Sequence, residues 1–361
     1  MQRCEKFLNL YENHASKAIA KTMKTHKFHH HLTQLSLVGL LILLTACTDR
    51  SQYIRLTGLA QGSTYLITYA ETDRQGQRIE ASAEQVQELV EQGFERINHS
   101  VSGYHKGSVL SRLNRNETCE TDSIFRDLFR ISCQLWEETE GIFDPSGAPL
   151  YDLWGFGFQD KGQVSQHQID SLRQFIGMHH FRLEGNQLIK DHPNARLNFN
   201  AIAQGYTCDY IAHILDSLQI QDFLIEVGGE VYAKGLNPKG LSWRIGIDRP
   251  EDGNMEPGAK LEEIVSISNQ GLVTSGNYRK FHIENGQKYA HTIDPKTGYP
   301  VQHNLLSASI LAPNATLADA YATYCMAIGL EASTDFLTSR PDLQGYLIYS
   351  EGENMKTLVV D

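Results

Sequence analysis

The sequence predicts an α+β domain in which sheet and helix segments mix irregularly. Three observations predict it. Amphipathic stretches carry apolar residues at helical spacing, strand-like runs stop at glycine turns, and the strand–helix rhythm of a doubly wound sheet is missing. The chain from Cys47 onward, about 315 of the 361 residues, is long enough for one large domain or two lobes.

Residues 1–46 read as a secretory signal. Lys24 and Lys27 precede an apolar run from Leu35 to Leu44, too short to span a bilayer, and small residues follow it in Leu44-Thr45-Ala46-Cys47. The first 22 residues fit no signal, so Met23 is the more natural start. His29-His30-His31 reads as a flank of that signal, the competing readings being a metal tract or a tag remnant. The Cys after Leu-Thr-Ala resembles a bacterial lipobox, making Cys47 the expected lipidation site; the competing reading is a buried helix that ends in Cys. Residues 47–55 then form a lipidated Cys with a short polar tether, and 56–361 the folded domain.

Ser82 and Gln85 form a capping box ahead of Val86, Leu89, Val90, Phe94 and Ile97, which recur at helical spacing. A second helix carries Ile124, Phe125, Leu128, Phe129, Leu135 and Trp136, with Gly141 as its stop. A third begins near Ala201 and runs through Tyr210, Ile211 and Leu215. Phe223–Val227 reads as a buried strand stopped by Gly228-Gly229, and further strands are expected at 243–247, 264–268 and 346–349. Thr274-Ser275-Gly276 reads as a turn offering hydroxyls and backbone amides to a phosphate, or as an ordinary polar turn. An Ala-rich helix holds Asp319 and Thr323 and continues to Gly329.

The net charge is −11, and residues 1–46 hold six of the 32 basic and two of the 43 acidic residues, leaving about −15 on the remainder. That balance opposes nucleic-acid binding, which needs a basic face, and electrostatic adhesion to membranes. Membrane attachment would come from lipid at Cys47. Four cysteines follow: Cys208 and Cys325 read as buried thiols, whereas Cys119 and Cys133 could pair in an oxidising compartment or stay free.

Two segments carry the chemistry. Asp319 and Thr323 stand four apart on one helix face among small residues. A carboxylate and a hydroxyl in that arrangement suit Mg²⁺, which takes one or two carboxylates and leaves other positions to water and phosphate. The pair also arises by chance in many chains. The second segment, His291-Thr292-Ile293-Asp294-Pro295-Lys296-Thr297-Gly298-Tyr299-Pro300, offers His291 as a base or as a structural hydrogen-bonding residue.

No G-x-G-x-x-G follows a strand, and Gly155-Phe156-Gly157 lacks the third glycine, so a dinucleotide fold of the Rossmann type is not expected. Read in order, however, several segments resemble the ApbE family of flavin transferases. They are Gly62-Ser63-Thr64, Tyr104 with the segment 108–114, Phe143-Asp144-Pro145, and Leu153-Trp154-Gly155-Phe156-Gly157. Ala201-Ile202-Ala203-Gln204-Gly205-Tyr206, Glu226-Val227-Gly228-Gly229-Glu230, Thr274–Tyr278, and the two segments at His291 and Asp319 complete the series. The resemblance covers roughly residues 60–330.

The resemblance implies a single large ApbE-type (T-fold-like) domain and an Mg²⁺-dependent FAD:protein FMN transferase. FMN would pass from FAD to a Thr or Ser hydroxyl of a partner, with AMP leaving. It implies metal contacts at Ala201, Asp319 and Thr323, His291 as the catalytic base, and FAD contacts at Gln61, Tyr104, Ile142, Phe143, Asp144, Asn198, Gln204 and Ile293. The implied acceptors are subunits of membrane electron-transport complexes of the sodium-pumping NADH:quinone reductase or Rnf type. The implied location is the periplasmic side of the inner membrane, with the outer membrane left open because Thr48 is not a retention Asp. Trp154 reads as core packing.

Four positions depart from the commoner pattern: Gln61 stands where Met is usual, Ser63 where Thr is usual, Asn198 where many members have Asp, and Ala322 where some have a second Asp. Two other readings stay open. The same groups could hydrolyse FAD to FMN and AMP, or the chain could be a flavin-binding lipoprotein without turnover.

Overall fold

The computed structural model describes residues 52–361, apart from 159–161, 163, 252–253, 255–257, 279–280 and 285–286, and omits the side chains of 281–289. The expected signal and the lipidation site Cys47 lie outside the described residues. A strand, β1 (Tyr53–Ala60), starts three residues before the expected end of the tether, so 53–55 belong to the sheet. The residues from Ser51 onward cluster as one unit, not two lobes.

β1 turns back into β2 (Ser63–Ala70) through Gln61-Gly62, both with positive φ (53° and 77°). Two such residues suit a tight hairpin whose twist matches its strands. Then come α1 (Ala83–Val101), α2 (Val109–Asn114), α3 (Ser123–Glu138), α4 (Ala148–Trp154) and α5 (Gln166–Arg173). The Ser82–Gln85 capping box forms as expected, and Gly141 follows the end of α3 in the left-handed region, its amide bonded back to Trp136. A small hairpin, β3 (Phe181–Glu184) and β4 (Gln187–Lys190), leads to α6 (Ala203–Ser217).

β5 (Phe223–Val227) and β6 (Glu230–Lys234) follow, then a second hairpin of β7 (Trp243–Asp248) and β8 (Leu261–Ile267). β9 (Gln270–Gly276), the short pair β10 (Phe281–Glu284) and β11 (Gln287–Ala290), and β12 (Leu305–Ala312) precede α7 (Ala315–Ile328) and α8 (Leu330–Thr338). β13 (Gln344–Glu351) and β14 (Asn354–Val360) end the chain. Eight strands form one sheet in the order β1-β2-β5-β6-β9-β12-β13-β14, antiparallel at every step.

Alternation along these strands decides which layer covers which face. Tyr65, Ile67, Phe223, Ile225 and Val227 pack with Val86, Val90 and Phe94 of α1 and with Ile211 and Leu215 of α6. Further along, Val273, Ile310 and Leu347 point to the helical side, while their neighbours Leu272, Leu311 and Ile348 pack with Trp243, Ile247, Val265 and Ile267 of the β7–β8 hairpin. The sheet is thus covered by helices on one face and by a hairpin on the other.

One expected turn is part of a strand. Thr274-Ser275-Gly276 completes β9, and its backbone pairs with Ser307–Ser309 of β12. β12 takes up alternate amides of this segment, and the hydroxyls of Thr274 and Ser275 remain to contact other groups. Cys119 and Cys133 are both free thiols, and Cys208 and Cys325 are buried.

Candidate active site

α7 carries the two residues on which the metal reading rests. It is Ala-rich because it lies against the sheet and α6, and Ala318, Ala320 and Ala322 are buried. Its start is held twice. Asn314 accepts the Leu317 amide at 2.8 Å, and Asp209 of α6 reaches across to accept the amides of Ala315 (2.9 Å) and Thr316 (2.8 Å). Tyr321 is anchored from the other direction by Glu138 at 2.9 Å and by Arg340.

Asp319 is buried, at 5 % exposure, and its Oδ2 accepts the Gly205 amide at 3.0 Å. Gly205 is the third residue of α6, so its amide is one of the first-turn donors that have no partner within the helix. Asp319 supplies the acceptor that this amide needs. Close contact is possible only because residue 205 is glycine: a Cβ there would lie 2.3 Å from the Ala315 carbonyl oxygen and 2.7 Å from Asp319 Cβ.

Burial pushes the Asp319 carboxyl up to about 7, the Gly205 hydrogen bond works against that rise, and the negative charge of Asp209 adds to it. Among the described residues no Lys, Arg or His forms an ion pair with Asp319. Nor, among the described residues, do three His, Cys, Asp or Glu side chains gather as a metal-binding group. A buried carboxylate lacking a cationic side chain, one helical turn from a hydroxyl, is an oxygen donor pair that fits Mg²⁺ and does not fit zinc.

Thr323 lies one turn beyond Asp319, and its hydroxyl is 3.3 Å from that of Ser275 on β9. Two residues further along, Asn277 accepts the Thr292 hydroxyl at 3.3 Å. The end of β9 therefore links Thr323 to the segment holding His291. His291 follows β11, half-buried, with its ring edge-on to Phe156 at 6.4 Å. Ile293 is buried with Leu150, Leu153, Trp154 and Ile169. Trp154 is core, as expected, and donates to the Gly298 carbonyl at 2.9 Å.

Tyr104, Asp144 and Asn198 form a second group. Asn198 is buried; its backbone amide bonds the Pro145 carbonyl at 2.7 Å, and its Oδ1 accepts the Asn200 amide at 2.8 Å. Asn200 in turn donates to the Tyr104 hydroxyl at 3.4 Å. Asp144 caps a short 3₁₀ turn, accepting the Ser146 amide at 2.8 Å and the Trp136 indole at 3.1 Å. Burial pushes its carboxyl up to about 6 despite these bonds. Phe143 is buried and Ile142 partly so.

Gln61 meets α6 from the turn of the β1–β2 hairpin. Thr207 donates its hydroxyl proton to the Ala203 carbonyl at 2.6 Å, leaving its oxygen to accept from Gln61 Nε2 at 2.6 Å. That pairing fixes the orientation of the amide, and Gln61 Oε1 is left buried without a partner. Gln204, in the first turn of α6, lays its Nε2 against Gly228 in the β5–β6 turn.

Comparison with known proteins fits this arrangement. The ApbE family model matches residues 61–347. The chain belongs to the ApbE family. It is 32% identical over 321 residues to the FAD:protein FMN transferase of Haemophilus influenzae, covering 86% of this chain and 90% of that protein. It is 30% identical over 338 residues to the FAD:protein FMN transferase of Escherichia coli K12, covering 90% and 94%. Among solved structures it superposes on the flavin transferase ApbE from Vibrio cholerae with a TM-score of 0.75 at 29% identity, over 86% of this chain and 98% of that one. The apo flavinyl transferase ApbE of Pseudomonas stutzeri gives a TM-score of 0.75 at 28% identity, with 86% and 95% covered.

Within the ApbE frame, sequence reasoning passed over the roles of Thr207 and Trp136, which hold Gln61 and Asp144, and of Asp209, which holds the start of α7. An acid on a helix carries no local mark that it caps a different helix more than a hundred residues away. Only the tertiary contact between α6 and α7 exposes it.

Proposed function

We propose that this chain is an Mg²⁺-dependent FAD:protein FMN transferase, the activity named for its relatives in Haemophilus influenzae and Escherichia coli. The observation that carries the reading is the environment of Asp319. Its carboxylate is buried, tied to one backbone amide, pushed up to about 7 and set one helical turn from Thr323, whose hydroxyl meets that of Ser275. Asp319, Thr323 and the carbonyl of Ala201 would hold the ion. Bound there, Mg²⁺ supplies neutralisation of pyrophosphate charge, the main demand of phosphoryl-type transfer.

The chain's own residues do the rest. A Thr or Ser hydroxyl of the acceptor attacks the FMN phosphorus of FAD. The bridging P–O bond breaks, AMP departs with the bridging oxygen, and a phosphoester forms. His291, held beside Phe156, takes the hydroxyl proton. Gln61, Tyr104, Ile142, Phe143, Asp144, Asn198, Gln204 and Ile293 bind and orient FAD. Tyr104, exposed at 67 %, presents a ring able to stack on a planar ligand.

The acceptor is a subunit of a membrane electron-transport complex, of the sodium-pumping NADH:quinone reductase or Rnf type. The enzyme works on the periplasmic side of the inner membrane, anchored by lipid at Cys47. The lipobox-like sequence and the acidic balance of the mature chain support this placement. The test is to incubate the protein with FAD, Mg²⁺ and a purified acceptor domain. Transferase activity gives covalent flavin fluorescence on the acceptor and one AMP per label. Free FMN with an unlabelled acceptor would mean hydrolysis instead, and FAD retained without AMP release would mean a binding protein.

A further inference from the structure

Asp152 has no part in the donor set or the proposed FAD contacts, yet it is tied to both aromatic contacts at their edge. It sits in α4 with a side chain only 7% exposed. Its Oδ1 accepts the Phe158 amide at 2.6 Å, and its Oδ2 pairs with Arg196 Nη1 at 2.8 Å. The amides of Phe156 and Gly157 bond the Tyr151 carbonyl at 2.8 and 2.9 Å, so the backbone from 155 to 158 is pinned along its length.

This pinned segment carries two rings that meet two residues of the proposed mechanism. Phe158 packs edge-on against Tyr104, with centroids 5.0 Å apart and planes at 88°. Phe156 packs edge-on against His291 at 6.4 Å and 67°. The fit leaves no slack. A Cβ on Gly157 would lie 2.1 Å from Asp152 Oδ1, and one on Gly103 would lie 2.0 Å from the Phe158 ring.

An exposed ring that must stack on a ligand loses rotational freedom on binding, and a neighbour that already holds it removes part of that cost. From these contacts we infer that Asp152 is a positioning residue of the transfer reaction. By clipping the Phe156–Phe158 segment it sets the place of the Tyr104 ring and of the His291 imidazole together. The inference rests on the proposed function. Wild-type labelling of an acceptor tests that reading by itself, and the variants below are scored only against a wild type that labels.

The experiment compares Asp152→Ala, Asp152→Asn, Phe158→Leu and the Asp152→Ala, Tyr104→Ala double variant. The readouts are FAD affinity, fluorescence of the bound flavin, and kcat and KM of the folded fraction. Asp152→Ala should weaken FAD binding about tenfold, brighten the bound flavin as Tyr104 loosens, and lower kcat by about ten- to a hundredfold. Asp152→Asn keeps an oxygen for the Phe158 amide and should recover most of that loss. In the Tyr104→Ala background, Asp152→Ala should add less than about twofold to the loss of FAD affinity. Phe158→Leu keeps the clip but removes the ring, and should reproduce the brightening.

The assignment fails if Asp152→Ala folds and matches wild type in affinity, fluorescence and kcat. It fails equally if the loss of affinity is undiminished in the Tyr104→Ala background. Should Asp152→Ala not fold, wild-type fluorescence and affinity in Phe158→Leu overturn it.

Discussion

The Gly205 amide donates to Oδ2 of Asp319 at 3.0 Å, tying the first turn of α6 to the second turn of α7. One bond satisfies a first-turn amide that has no partner within its own helix and orients the carboxylate. Packing permits it because residue 205 has no side chain.

Gly205→Ala should therefore disturb fold and site together. The new methyl would meet the Ala315 carbonyl at 2.3 Å, forcing α6 and α7 apart. The expected cost is about 1–3 kcal/mol of stability, typical of overpacking, with weaker Mg²⁺ binding in the presence of FAD. Urea unfolding and metal titration read the two effects separately.

Asp209→Ala should destabilise the protein by about 1–3 kcal/mol, because the Ala315 and Thr316 amides at the start of α7 lose a buried acceptor. Asp209→Asn keeps one acceptor oxygen and should lose less. Equal unfolding midpoints for Asp209→Ala and wild type would remove this residue from the account of how α7 is held.

Asp144 predicts a pH dependence in the ligand-free protein. Its folded pKa, about 6, lies above the ordinary value of 3.8. Between these two values the folded state holds more protons than the unfolded state, so the contribution of Asp144 to stability falls as pH rises through that window. The destabilisation caused by Asp144→Ala should consequently be larger near pH 4.5 than at pH 7.5, by about 1–2 kcal/mol. Urea midpoints at the two pH values measure the difference, and no change, or a change of opposite sign, would contradict it.

Thr207→Val should loosen Gln61 by removing the oxygen that accepts its Nε2. The expected result is an FAD affinity lower by about three- to tenfold, as for loss of one organised hydrogen bond. Equilibrium binding followed by flavin fluorescence measures it.

Much of the fold was legible because its signals are local. The capping box at Ser82 and Gln85, the strand ending at Gly228-Gly229 and the helix ending at Gly329 formed where the sequence places them. The turn expected at Thr274-Ser275-Gly276 became a strand end because β12 supplies backbone partners that a local reading cannot see. The tether proved three residues shorter for the same reason, since Tyr53–Arg55 find partners in β2. In the candidate site, the helix that holds Asp319 and Thr323 formed where the sequence places it, while their metal role draws on the family resemblance. The contacts that Gly205, Asp209 and Ser275 make with that helix were not legible, because those residues come from other elements and act only once the elements pack.

The central claim is that the Asp319 carboxylate holds the Mg²⁺ needed for FMN transfer, and Asp319→Asn tests it most directly. An Asn side chain can still accept the Gly205 amide, so the fold and FAD binding should persist while the negative charge is gone. Titrating Mg²⁺ into the FAD complex of this variant should give no saturable binding, and AMP release should be abolished. Wild-type Mg²⁺ affinity with wild-type AMP release in Asp319→Asn would contradict the account.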